Sequence, residues 1–277
     1  MNESAIALTE EREMLLAGFA HKEFTPEKGN MAGQMYITPA DGKFTPLLAN
    51  ASAFTCGEDS IIMLSLDLDG VRKYFSDPIR ERISAATGVP VSNIMVAATH
   101  THTSCVLDTP CWYTPAEPEN LVRVIEAAIE AALAAWQSRE AARLGIGLTY
   151  ETRFSFIRDI YLKDGNVRTN PWWKLELPIA CPTAAIDHSV NVMRVENNAG
   201  KLKAFIVNYA NHPDNHHSKL ESNDKYSADY PGYLRKRLLE EYGEDVEVLF
   251  FNGTCGDVNA DDFISRRSSA RLLMTQR

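Results

Sequence analysis

The chain has 277 residues, 45% of them hydrophobic and 23% charged, which is enough apolar material for one sizeable core or two modest ones. A net charge of −9, a pI near 5.3 and the lack of any Lys/Arg cluster argue against nucleic acid or an anionic membrane surface as the main partner. Cys56, Cys105, Cys111, Cys181 and Cys255 are odd in number and widely spaced, with no CxxC pair. Neither a disulfide framework nor a cysteine zinc knuckle is indicated, and a reducing compartment is expected.

The N-terminus, Met1 to Glu13, carries acids where a signal peptide carries bases; the expected location is therefore cytoplasmic. A strand is expected over 60–66, ending in Asp67-Leu-Asp69-Gly70. Next comes a helix with Asp77 as N-cap, Pro78 at its first position and Gly88 as its stop. A strand at 94–98 runs into His100-Thr-His102-Thr-Ser104. Leu121 to Trp136 is the longest apolar stretch, but Arg123, Glu126 and Glu130 interrupt it, which rules against a membrane span. Its Leu121, Ile125, Ile129 and Leu133 recur every fourth residue, so 118–137 reads as an amphipathic helix.

A strand near 144–150 follows, then an irregular excursion over 151–190. The turn Lys163-Asp-Gly165-Asn marks a hairpin there, and Trp172 and Trp173 read as packing residues or a pocket wall. Strands at 190–195 and 204–209 flank the turn Asn197-Asn-Ala-Gly200, and the second runs into Asn211-His212-Pro213-Asp214. A helix capped near Ser227 or Asp229 stops at Gly243. The strand at 246–251 then enters Asn252-Gly-Thr-Cys255-Gly256-Asp257-Val-Asn259. The fold class expected from this alternation is α/β, with a mixed, largely parallel sheet flanked by helices.

Five of the seven histidines lie in two segments that follow strands. Ligands in open α/β sheets bind beyond the carboxyl ends of strands, so the loops at 67–70, 100–104, 211–217 and 252–259 are expected to share one rim. Imidazoles converging there suit a divalent metal. His100 and His102 point the same way only on an extended backbone, and His212 before Pro213 is held out of the α conformation. Asp214, His216 and His217 are further candidates, although adjacent His216 and His217 are better read as solvated loop. Asp229 and Asp257 serve as a cap and a turn residue or orient a metal-bound histidine. Cys255 and Ser104 show no triad that would make either a nucleophile.

Together these segments resemble the neutral/alkaline non-lysosomal ceramidase family, zinc enzymes that cleave the amide of ceramide. Gly18-Phe-Ala with Phe24-Thr-Pro26 resembles its opening strand, Ser65-Leu-Asp67-Leu its SLDL run, and Ala98-Thr-His100-Thr-His102-Thr-Ser104 its ATHTHSGP signature. Arg158, Lys163-Asp-Gly165-Asn-Val-Arg168-Thr-Asn170-Pro171, Asn211-His212-Pro213, Ser227-Ala-Asp229-Tyr-Pro-Gly232 and Gly256-Asp257-Val258 continue the series in order.

The resemblance implies that residues 1–277 form a single N-terminal catalytic domain, incomplete at its C-terminus. It implies Zn²⁺ held by His100 and His212, with His102 and Arg158 beside the substrate. The reaction implied is hydrolysis of a small-molecule N-acyl or lipid substrate by metal-activated water. Asn259 stands where the family has the serine of GDVSPN, and an amide cannot replace an oxygen nucleophile, although it can position water or a carbonyl. Because the family's further Glu and Tyr ligands fall beyond residue 277, Asp67, Asp214 or a partner would have to supplement two nitrogens. A non-catalytic member that binds metal or ligand without turnover is the alternative.

Overall fold

In a computed structural model, residues 14–34, 36–107, 114–171, 177–215, 224–265 and 267–268 are described. His216, His217, Trp172 and Trp173 lie outside them, so the expectations placed on these four have no structural counterpart.

Eight strands form one sheet. They are β1 (Leu16–Glu23), β2 (Leu48–Cys56), β3 (Asp59–Leu66), β4 (Ile94–Ala98), β5 (Glu140–Tyr150), β6 (Ser189–Asn197), β7 (Leu202–Tyr209) and β8 (Glu247–Asn252), in the spatial order β8-β7-β6-β5-β1-β2-β3-β4. The α/β class and the mixed sheet are as expected, but the sheet is not largely parallel. Only β3–β4 and β7–β8 pair in parallel, and the other five pairings are antiparallel. The connections explain this. Short turns at Gly57 and Gly200, both with positive φ, fold β2 onto β3 and β6 onto β7 as hairpins. A parallel pair arises only where a helix crosses over: α1 (Lys73–Thr87) between β3 and β4, and α3 (Asp229–Tyr242) between β7 and β8.

Each half of the chain is thus three antiparallel strands, a helix and a parallel fourth strand, and the halves join weakly through two residue pairs of β1 and β5. The sheet curls at this joint. β8, at one edge, packs over β2, β3 and β4 at the other, and the buried Ser65 hydroxyl of β3 donates to the Phe250 carbonyl of β8 at 2.5 Å. Between the two faces lie Phe19, Phe54, Val195, Ala204, Ile206 and Leu249.

The outer faces carry the helices. Strand periodicity sends Phe205, Val207 and Tyr209 outward against Leu234 and Leu238 of α3. On the opposite side Ala49, Ala51, Ile62, Leu64 and Leu66 meet α1 and α2 (Pro118–Gln137). Phe75, Ile79 and Ile83 of α1 lie at i, i+4 and i+8 and are fully buried. Each such side chain contributes about 1.5–3 kcal/mol relative to exposure.

Two helix details differ from the sequence reading. α1 starts at Lys73 rather than Pro78, because the Arg72 carbonyl already accepts the N–H groups of Phe75 and Ser76; Pro78 sits inside the helix. In α2 the most buried stripe is Val124, Ala128, Ala131, Ala132 and Ala135, whereas Leu121, Ile125 and Leu133 are half-buried beside it. Small residues let α2 approach β1 so closely that a Cβ on Gly18 would lie 2.1 Å from the Ala135 carbonyl oxygen.

The described part of the excursion over 151–190 includes a small three-stranded sheet. Asp159–Leu162 pairs with Val167–Thr169 around Gly165, and with Ile179–Pro182 on its other side. Phe156–Ile157 pairs with Val258–Asn259 and so fixes the excursion to the loop after β8. No helix among the described residues is long and apolar enough to cross a membrane.

Candidate metal centre

The two parallel pairs present their carboxyl ends to one another across the curl, so the four loops meet as the strand ends predicted. Asn252, at the end of β8, joins them: its side-chain amide donates to the Thr99 and Asn211 carbonyls, both at 3.0 Å. His100, His102 and His212 are brought together, with ring centroids 4.6–5.0 Å apart.

The backbone beneath His100 is not extended. His100 has φ +73, in the left-handed region that a side chain adopts only at a cost, and its N–H donates to the Leu68 carbonyl at 2.9 Å. The His100-Thr-His102 segment therefore turns, and convergence of the rings comes from that turn rather than from strand alternation. The turn is held by the Thr101 and Thr103 hydroxyls, both donating to the Ser227 carbonyl at 2.7 Å. The His102 N–H reaches the Pro213 carbonyl at 3.0 Å. Gly33 has φ +76, and a Cβ there would lie 2.9 Å from His102 Cα and Cγ, so a glycine is required beneath that ring.

Backbone carbonyls fix the tautomers. His100 Nδ1 lies 2.5 Å from the Asp69 carbonyl oxygen and His212 Nδ1 lies 3.0 Å from that of Cys255. A carbonyl only accepts, so both Nδ1 atoms carry hydrogen and both Nε2 atoms carry a lone pair in the neutral rings. His102 Nε2 stands 2.9 Å from His212 Nε2 and is therefore the donor of that pair. Its own Nδ1 faces Asp214 Oδ1 at 3.8 Å. Burial lowers the His212 pKa, opposed by its bond to Cys255 and assisted by the charges of His100 and Arg158; His212 is 4% exposed. A neutral ligand imidazole needs this environment.

This donor set fits a metal such as zinc. One ring nitrogen from each of two histidines shares a small volume with a sulfur donor: ligand atoms of His100, His212 and Cys255 all lie within 4.8 Å of one another. Cys255 was not a ligand candidate in the sequence because it matches no CxxC pattern; its place at the exit of β8, opposite the two histidine loops, was the available signal.

The remaining candidates fall into two groups. Asp67 is fully buried, accepts the Leu48 N–H at 2.9 Å and pairs with Arg235 at 3.1 Å; it belongs to that ion pair and is not the supplementary ligand considered above. Ser104 is buried and accepts the Asp69 N–H, a loop tie rather than a nucleophile. Asp229 is the first residue of α3, with φ +54, and the N-cap position is Ala228. Its carboxylate accepts the N–H groups of Asn215 at 2.8 Å and Tyr230 at 2.6 Å, and thereby anchors the loop that carries His212.

Arg158 stands beside the glycine-rich loop, its N–H donating to the Asp257 carbonyl at 2.8 Å. Its Nε is buried with no hydrogen-bond partner, and its charge acts on both His212 and Cys255. Asn259 is engaged at both ends: its Oδ1 accepts the Ala260 N–H at 2.6 Å and its Nδ2 donates to Asn170 Oδ1 at 3.1 Å.

As a sequence, the chain matches no protein-family model and no curated protein. Its structure does have solved relatives. A neutral ceramidase from Pseudomonas aeruginosa superposes with a TM-score of 0.71 over 94% of this chain and 43% of its own, at 16% identity. The fold is ceramidase-like. A second structure, of a ceramidase complexed with C2, gives a TM-score of 0.69 over 90% of this chain and 39% of its own, also at 16% identity. The chain thus spans about two fifths of the length of these neighbours. At such identity the likeness concerns the ceramidase-like fold alone.

Proposed function

We propose that this chain is a zinc-dependent hydrolase that cleaves the amide bond of an N-acyl substrate, a ceramide-like lipid being the first candidate. The observation that carries this reading is the convergence of three imidazoles from two crossover units, two of them held at Nδ1 by backbone carbonyls so that their Nε2 atoms carry the lone pairs, that of His212 turned toward His102. His100 and His212 are assigned as ligands. A bound zinc ion supplies Lewis-acid polarisation of the scissile carbonyl and activation of water at neutral pH.

The chain's own residues do the rest. His102 delivers a proton from Nε2, and Asp214 beside its Nδ1 favours the imidazolium that gives it. Arg158 supplies positive charge near the position where oxyanion character develops. Asn259 orients its neighbours through Asn170 and Ala260 instead of attacking.

The test is release of fatty acid from a fluorescent N-acylsphingosine by the purified chain with and without added zinc. Activity lost with chelator and regained with zinc supports the proposal, and a His102→Ala chain should retain zinc while losing roughly 10²–10⁴-fold in turnover. The engagement of both ends of Asn259 favours a second reading, a member that binds metal or ligand without turnover; stoichiometric zinc with no hydrolysis of any N-acyl substrate would select it.

A further inference from the structure

We propose that Cys255 is a third protein ligand of this site, joining His100 and His212. This rests on the assignment of His100 and His212 as ligands. Two neutral nitrogens are one short of the three protein ligands usual at a catalytic zinc. Among the described residues, the His/Cys/Asp/Glu cluster that offers a third donor within 4.8 Å of both is completed by Cys255.

The fold gives that thiol a fixed place. The Cys255 carbonyl accepts His212 Nδ1–H at 3.0 Å, so the residue that orients one ligand also carries the next. The loop around it is pinned by the Gly253 N–H to the Tyr209 carbonyl, and by the Val258 N–H to the Cys255 carbonyl. A tetrahedral zinc with Zn–N near 2.0–2.1 Å and Zn–S near 2.3 Å sets ligand atoms roughly 3.3–3.6 Å apart. Closing from 4.8 Å therefore takes a shift of about an ångström, within reach of side-chain rotation.

Metal entry at a Cys255 thiol would form a metal–sulfur bond and release the thiol proton to solvent. A thiolate with two imidazoles selects Zn²⁺ or Co²⁺ over Mg²⁺, Ca²⁺ and Mn²⁺.

The test uses the full native chain and Zn²⁺ alone, with iodoacetamide alkylation of each cysteine followed by peptide mass spectrometry. One equivalent of zinc is expected to slow Cys255 at least about 10-fold, as a metal-bound thiolate is withheld from reaction. The exposed Cys56 and Cys181 should react as before. In parallel, Cys255→Ser should weaken zinc binding by more than the roughly 10–100-fold typical of losing an outer partner, with unchanged far-UV circular dichroism.

Zinc that binds in a His212-dependent way while Cys255 alkylates at its original rate overturns this inference and leaves the two-histidine assignment standing. A native chain that binds no zinc overturns both. Because the alkylation is read on the native chain, the outcome does not depend on the folding of the variant.

Discussion

At the scale of single residues, His100 shows a conflict between stability and site. Its left-handed φ of +73 costs an L-residue about 1–2 kcal/mol that glycine does not incur. His100→Gly should therefore be about 1 kcal/mol more stable than His100→Ala in chemical denaturation, although both lose the imidazole. Equal stability of the two variants would mean that the left-handed turn is not held in solution. The histidine pattern showed which residues converge, and the sequence placed all four loops on one rim. It did not show how: an extended segment was expected, and the turn at His100 is imposed by the Thr101 and Thr103 bonds to Ser227, more than a hundred positions away. The closeness of Cys255 to the two histidines escaped for the same reason, since a neighbour supplied by folding leaves no local spacing to recognise.

At the scale of elements, α3 is fastened to the loop that follows β3 by the buried pair Arg235–Asp67. Breaking one partner of a buried ion pair strands the other charge and costs about 3–5 kcal/mol, so Arg235→Met should lower the denaturation free energy by that order. A loss under about 1 kcal/mol would show that Asp67 finds other compensation. A second tie, His21 Nδ1 to Glu247 at 2.8 Å, joins β1 to β8 across the curl and raises the His21 pKa above 6.5, chiefly through that hydrogen bond. A raised histidine pKa stabilises the fold fully below the unfolded value, and the gain is lost as pH rises through the folded one. Its NMR titration midpoint should thus lie above 6.5 and fall in Glu247→Gln; an unshifted midpoint in both would remove this tie. The crossover units β3-α1-β4 and β7-α3-β8 were legible from capping glycines and alternation. The pairing of β1 between β2 and β5 was not, because antiparallel register between distant segments is decided by side-chain packing on the two faces.

At the scale of the molecule, the two halves repeat one order of strands and helix, and the curl between them makes the site. His100 and His102 come from the first crossover, His212 and Cys255 from the second, and Asn252 bonds across to the first through Thr99. Each repeat therefore contributes half of the candidate site. Zinc content of the purified chain, measured by inductively coupled plasma mass spectrometry for the native protein, His100→Ala and His212→Ala, tests this most directly. One zinc per native chain, lost from both variants, is the result expected from one shared centre. Absence of zinc from the native chain, or equal zinc in all three, contradicts it.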